Sequence, residues 1–336
     1  MAICALHLAL QASPAGAQAL SRDEQAHFLR TARIVKSTPI GKGVTRPYRL
    51  TLTDGTLTHD AAFQSVDQQR QFSARTGRDG TPELNFVDSW RFNVAAPRVA
   101  ELLGIGEMIP VSVERMWRGT KGALTWWVDD VLMDEQARKT AKAEPPDPKA
   151  WTEQQLRMRV FTQLVHDTDR NQGNLLITND WRLVMIDFTR AFRAWAKTPS
   201  PLTILRRCDR NLLAAMRGLT KPALENAVGP YLSEPEVNAL LARRDIIVRH
   251  FDDLIARLGE ESVLYQAGSP DLQPTDKGLQ IAPGHSPQNT FSHEGICGCG
   301  RRGRFLRARH SGCGTGGPAA RDALETCRVT PASVSS

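Results

Sequence analysis

The chain has 336 residues, enough for one large domain or two, with 43 Lys and Arg against 36 Asp and Glu and a formal net charge of +7. Residues 267–336 hold eight of those basic and five of those acidic residues, so the remainder is only mildly basic; with no basic stripe interleaved with aromatics and no zinc-finger spacing, nucleic acid is not expected as a partner. No run approaches the roughly 18 consecutive apolar residues of a membrane-spanning helix, so no transmembrane segment is expected.

At the N-terminus, Ala2–Ala12 is apolar apart from His7 and Gln11. Ala15-Gly16-Ala17 and Ala17-Gln18-Ala19 are small-residue cleavage patterns. The segment predicts an export signal over residues 1–19, without the usual positive n-region, and hence a periplasmic or secreted protein. The other reading is a short buried helix in a cytoplasmic one. Lys36–Thr45 follows, with Gly41 and Gly43 flanking Lys42. Tyr48–Thr53 alternates like a strand, Asp54-Gly55 is a hairpin turn, and Thr56–Val66 returns. Ile109–Trp117 and Ala123–Val128 predict a second hairpin across Arg118–Gly122. The stretch Asp129–Lys149, with Glu144-Pro145-Pro146-Asp147-Pro148, is charged and proline-rich, so residues 131–149 are read as a linker between residues 30–130 and 150–266.

Thr152 with Gln155 three residues on offers a capping box, and Leu156, Val160, Phe161 and Leu164 then recur at helical spacing. That helix would deliver the acidic segment Asp167-Thr168-Asp169-Arg170. Leu175–Thr178 and Leu183–Ile186 predict two short strands joined at Asn179-Asp180, ending in Asp187-Phe188. Phosphoryl transfer needs a carboxylate near the acceptor hydroxyl and oxygen ligands for Mg²⁺. Asp169, Asn174 and Asp187 are the residue types for those tasks. In the plainer alternative, Asp167 and Asp169 cap a helix end or solvate a turn, and Asp187 ends a strand. A metal-dependent phosphate hydrolase would use the same carboxylates, but no histidine-rich or further carboxylate cluster completes a two-metal site.

Beyond the hairpin, Arg190 and Arg193 read as part of a substrate-facing segment. Arg206, Arg207 and Arg210 surround Cys208, either as a site for an acidic group or as a solvated helix face. Leu212–Leu219 predicts a short helix. Ser233–Leu258 predicts a long one, capped by Ser233 and Glu236, with a stripe from Val237 to Leu258 and a stop at Gly259. The tail over 267–336 holds 11 of the 25 glycines and four of the six cysteines and reads as disordered. Cys297, Cys299, His310 and Cys313 fit no common zinc spacing. Only Cys208 remains within residues 20–266, so no disulfide is expected there.

The run Asp169-Arg170-Asn171-Gln172-Gly173-Asn174, followed by Met185-Ile186-Asp187-Phe188, resembles the catalytic loop and metal-binding Asp-Phe of protein-kinase-like enzymes. It is most similar to the phosphatidylinositol kinases, the Golgi secretory-pathway kinases and related bacterial proteins of unknown substrate. The resemblance implies an α+β, bilobal protein-kinase-like fold with a small antiparallel-sheet N-lobe and a mainly helical C-lobe. It implies ATP with Mg²⁺ or Mn²⁺, and transfer to a hydroxyl-bearing substrate. Asp169 would orient the hydroxyl and accept its proton, and Asn174 and Asp187 would hold the metal. Arg170 would steady the loop or pair with a phosphate, and Asp167 would share the metal or bind loop amides. His166 is read as structural. Gly41, Lys42 and Gly43 would lie over the phosphates.

Two residues of the pattern are absent. The strand position of the phosphate-contacting lysine falls at Gln64, and the helix position of its glutamate partner at Asn93. The two amides are expected to hydrogen-bond each other, keeping the geometry and losing the charge. Lys36 or Lys42 would replace the cation, and Glu83 or Asp88 the acid. Pro97 requires this helix to start near Ala96 or to kink. The departures favour a second reading, a pseudokinase-type nucleotide- or partner-binding module with little turnover.

Overall fold

The computed structural model describes residues 20–41, 47–73 and 83–267. The expected export signal and the tail beyond Ala267 lie outside the described residues. The first element is a helix that the sequence reading did not anticipate, α1 (Arg22–Thr31). The Ser21 hydroxyl accepts from the Glu24 amide, and the Glu24 carboxylate accepts in return from the Ser21 backbone. Arg115 caps its other end by donating to the carbonyls of Leu29 and Ala32 at 2.5 and 2.6 Å.

A five-stranded antiparallel sheet follows, from β1 (Arg33–Pro39), β2 (Tyr48–Thr53), β3 (Thr58–Gln64), and then, after an inserted hairpin and a helix, two further strands. The inserted hairpin is β4 (Asp67–Ser73) with β5 (Glu83–Ser89), and the helix is α2 (Trp90–Leu102). The last two strands are β6 (Ser112–Trp117) and β7 (Thr120–Trp126), and the order across the sheet is β1-β2-β3-β7-β6. Between β6 and β7 the turn is only Arg118-Gly119, both at positive φ (49° and 76°), the two-residue geometry that matches strand twist. Alternation assigns the faces. Leu50, Leu52, Ala61, Phe63, Val113 and Leu124 pack with Phe28 and Leu29 of α1. Ala123, one residue from Leu124, joins the opposite core with Phe92, Ala96 and Val99 of α2.

Pro97 neither ends nor delays α2, which starts at Trp90 behind its cap Ser89. A proline inside a helix costs about 3 kcal/mol. Here Phe92, Val94, Ala95, Ala96, Val99 and Ala100 are all buried, and that packing offsets the cost.

Residues 131–149 differ from the expected linker. They hold β8 (Val131–Asp134), which pairs into a second sheet, and α3 (Glu135–Ala141), capped by the Asp134 carboxylate. The helix α4 (Pro148–Leu164) also begins earlier than expected. Asp147 caps it by accepting from the amides of Lys149 and Ala150, and Pro148 occupies the first turn, where its missing N–H costs nothing. The acid-proline pair read as linker is therefore a helix start, and Thr152 lies within the helix, donating to the Pro148 carbonyl.

The predicted hairpin is present as β9 (Leu175–Thr178) and β10 (Leu183–Met185), and the second sheet runs β10-β9-β8. Helices α5 (Arg210–Gly218), α6 (Lys221–Val228), α7 (Glu234–Leu258) and the single turn α8 (Glu260–Val263) complete the helical part. Two parallel bridges, β11 (Cys208–Asp209) and β12 (Leu264–Tyr265), join its ends. The Glu236 carboxylate caps α7 through the Ser233 backbone and hydroxyl, and Gly259 stops it at φ 80°. The architecture is α+β: a small antiparallel-sheet lobe and a mainly helical lobe. Among the described residues no helix is long and apolar enough to cross a membrane.

Candidate active site

The site is built where α4 ends. His166 turns the chain at φ 49°, and the loop that follows is organised by one buried pair. The Asp167 side chain is 0% exposed and that of Arg170 is 5% exposed, with 2.5 Å between them. Asp167 also accepts from the Asp169 amide at 3.0 Å, so of its two expected roles it fills the one of binding loop amides.

Arg170 brings the predicted residues together. Its guanidinium donates to the carbonyls of Asn174 (2.9 Å), Ile186 (2.6 Å) and Asp187 (3.3 Å) and stacks over Phe188 at 4.2 Å. One cation thus ties the acidic loop to the end of β10. The Ile186 amide reinforces this by donating to the Asn174 carbonyl at 3.1 Å. Of the two roles considered for Arg170, these contacts are those of steadying the loop, and it acts as a clamp. A guanidinium turned toward a carboxylate and three carbonyls is not presented to a phosphate.

Asp169, Asn174 and Asp187 accordingly lie on one hydrogen-bonded unit. The Asn174 amide nitrogen donates to the Asp169 carbonyl at 3.3 Å, leaving its amide oxygen as the end that can meet a cation. Asp187 sits at φ 55°, a conformation that L residues seldom adopt and that is held at functional sites by the surrounding structure. Thr189 donates to its carboxylate through both hydroxyl and amide. Burial pushes the Asp169 carboxyl above the ordinary carboxylate range, opposed by the Arg190 guanidinium and the Asn171 side chain. Asp169 also lines a cleft of about 940 Å³ between α3, α4 and residues 195–204.

The two replaced positions meet as the sequence predicts. Asn93 Nδ2 donates to Gln64 Oε1 at 2.5 Å. The other end of the same amide carries a contact that the sequence did not reveal: Asn93 Oδ1 accepts from the Phe188 backbone N–H at 2.6 Å. Asn93 therefore joins the end of β3 to the residue after Asp187.

The other candidates divide. Gly41 lies just past β1, where a Cβ would meet nothing within 4 Å among the described residues, while Lys42 and Gly43 lie outside them. Lys36 is exposed on β1, opposite Thr51. Asp88, at the end of the inserted hairpin, hydrogen-bonds Thr189, and burial followed by the nearby Asp187 charge among the raising causes lifts its pKa. The hairpin reaches the site because the Ser89 amide donates to the Thr189 carbonyl at 2.8 Å. Arg210 is engaged with Glu260 and Glu261, and Arg207 lies over Tyr265.

Sequence reasoning missed Gly122 and Arg243. A Cβ at Gly122 would fall 2.5 Å from the Gln64 carbonyl oxygen and 2.7 Å from the Phe63 ring, so only glycine lets β7 approach there. Arg243, from α7, is fully buried and donates to the carbonyls of Leu164, Arg193 and Trp195. It braces the end of α4 and the segment after Phe188. Polar type alone in a helix heptad gives no signal of such a contact.

No protein-family model matches the sequence, and no curated protein matches it. Among solved structures, the chain is similar to that of hydra Fam20 with sugar (TM-score 0.54, 14% identity, covering 74% of this chain and 93% of that one). It also matches the Helicobacter pylori proinflammatory kinase CtkA (TM-score 0.43, 10% identity, covering 68% and 98%). The sheet order, the helix between β3 and β6, the acidic loop and the Asp-Phe after β10, with the likeness to the hydra structure, identify the fold of this chain as protein-kinase-like.

Proposed function

We propose that the protein is an ATP- and Mg²⁺-dependent phosphotransferase acting on a hydroxyl group. The observation that carries the reading is the Arg170 clamp, which holds Asp169, Asn174 and Asp187 on one unit. The Asp187 carboxylate and Asn174 amide oxygen suit a hard divalent cation that takes its remaining ligands from phosphate and water. When bound, Mg²⁺ neutralises charge on the phosphates. The acceptor oxygen forms its bond to the γ-phosphorus as the bond to the β–γ bridging oxygen breaks. ADP leaves with that electron pair, and the hydroxyl proton passes to Asp169. Burial raises the proton affinity of Asp169 and suits it to receive that proton.

Titration calorimetry of ATP with and without Mg²⁺ tests the nucleotide site. Binding should require Mg²⁺ and disappear in Asp187→Ala. Asp169→Ala should keep Mg²⁺-dependent binding and lose transfer by about 10²- to 10⁴-fold. The Gln64–Asn93 pair supports a second reading, a nucleotide- or partner-binding pseudokinase, because it places a neutral amide pair where a cation would face phosphate. Absence of ATP binding under every metal condition would reject the enzyme and leave the partner-binding module.

A further inference from the structure

The cleft beside Asp169 carries charge that the loop architecture does not consume. Its volume, about 940 Å³, is in the size range of small-molecule sites. Two carboxylates in its wall are already matched. Glu135 accepts from Arg138 at 2.7 and 3.1 Å, and Asp167 is taken by Arg170. Lys139, Arg159 and Lys197 line the same cleft and are exposed. The Lys139 ammonium is 3.7 Å from the already paired Glu135. Arg159 meets the neutral amide of Gln155 at 3.5 Å, and Lys197 lies over the Trp195 ring at 5.4 Å.

Three exposed cations on a convex surface would be an ordinary solvated set. These three share a concavity, where low-dielectric walls focus the field and concentrate anions. Asp169 lies in the same concavity, so an anion held there would be tethered beside the group proposed to receive the hydroxyl proton. A tether of that kind converts a bimolecular encounter into a positioned one. A concavity of this volume, with its cations spread over α3, α4 and the segment after Phe192, suits a small molecule.

Resting on the phosphotransferase reading, we propose that the acceptor is a small hydroxyl compound bearing a carboxylate or phosphate, held by Lys139, Arg159 and Lys197 with its hydroxyl toward Asp169. The cations act on the anionic group, and the transfer step is unchanged.

The test is calorimetric titration of the full chain, without nucleotide, with glycerol 3-phosphate and glucuronate against glycerol and glucose. An aspartate-rich serine peptide is the competing probe. At least one small anion should bind about tenfold or more tightly than its neutral counterpart. Lys139→Met/Arg159→Met/Lys197→Met should weaken that binding by about tenfold or more, while Lys139→Arg/Lys197→Arg retains it. Equal affinity for anion and neutral compound, affinity unchanged in the triple variant, binding of the peptide alone, or no binding of either small anion would each overturn the proposal. The arms separate the two readings. Small-anion binding without Mg²⁺-dependent ATP binding rejects the phosphotransferase and keeps the anion cleft, and the reverse rejects the cleft alone.

Discussion

Asn93 uses both ends of one side chain to hold two parts of the site, and a residue of another shape cannot do both. Its nitrogen reaches Gln64 and its oxygen reaches the amide of Phe188. Asn93→Leu would keep similar volume and leave a buried N–H without an acceptor. Such a loss costs about 1–3 kcal/mol, so urea unfolding should show destabilisation of that size. Gln64→Leu in the same background should add less than it costs alone, since their bond is already gone. The Gln64–Asn93 pair was legible because the resemblance aligned both positions with a known ion pair. The link to Phe188 was not, since it joins segments far apart in sequence and uses a backbone group that no side-chain pattern marks. At the other end of the loop, burial, then the Arg243 guanidinium, pushes His166 down to about 4. The His166 Nδ1–H donates to the Lys197 carbonyl at 2.8 Å. The folded state thus prefers neutral His166, while the unfolded chain takes up a proton near pH 6.5. Its contribution is complete above about pH 6.5 and is lost as pH falls toward 4, by about 3 kcal/mol at most. The pH dependence of the unfolding free energy across that window should flatten in His166→Gln; an unchanged slope would remove His166 as its source.

At the level of elements, legibility followed the strength of local signals. The hairpin over residues 175–186 and the long helix α7 were readable, because alternation, turn residues and a capping box agreed. The start of α4 was misplaced because Asp147-Pro148 sits in a proline run that also suits a linker, and a cap declares itself only with the helix behind it. The inserted hairpin β4–β5 was not read at all: Asp67-Gln68-Gln69-Arg70 is polar on both faces and carries no period-two signal. Gly122 shows the same limit. A glycine beside a turn carries no sequence signal of close packing, yet in β7 it lies against the last residue of β3. Gly122→Ala would force a methyl into backbone at 2.5 Å, and the strands must part or the Phe63 ring must move. Overpacking of this kind costs about 1–3 kcal/mol. Thermal unfolding should report it. Because the displaced residue is Gln64, Mg²⁺–ATP affinity should fall with it, whereas Gly119→Ala, at the solvent-open turn, should leave that affinity unchanged.

Across the whole molecule, the site depends on an anchor that lies outside it. Arg243 enters from α7 and collects the carbonyls of Leu164, Arg193 and Trp195, so the end of α4 and the chain after Phe188 share one buried cation. Burial lowers its pKa to about 9, which still leaves the guanidinium charged at neutral pH. Arg243→Leu would remove the donors and keep an apolar filler. Carbonyls left buried without partners cost about 1–3 kcal/mol each, and partial relaxation makes about 3 kcal/mol a reasonable total for the loss in unfolding free energy. Arg243→Lys would keep a charge but not the fork, and should fall between the two. A second readout separates bracing from general damage. The Arg243 charge is one of the causes holding His166 down, so in folded Arg243→Leu protein the His166 titration should move up toward its ordinary value. Imidazole resonances followed by NMR against pH measure that shift directly. A destabilised variant in which His166 still titrates near 4 would mean that the guanidinium fills space beside the loop without setting its electrostatics.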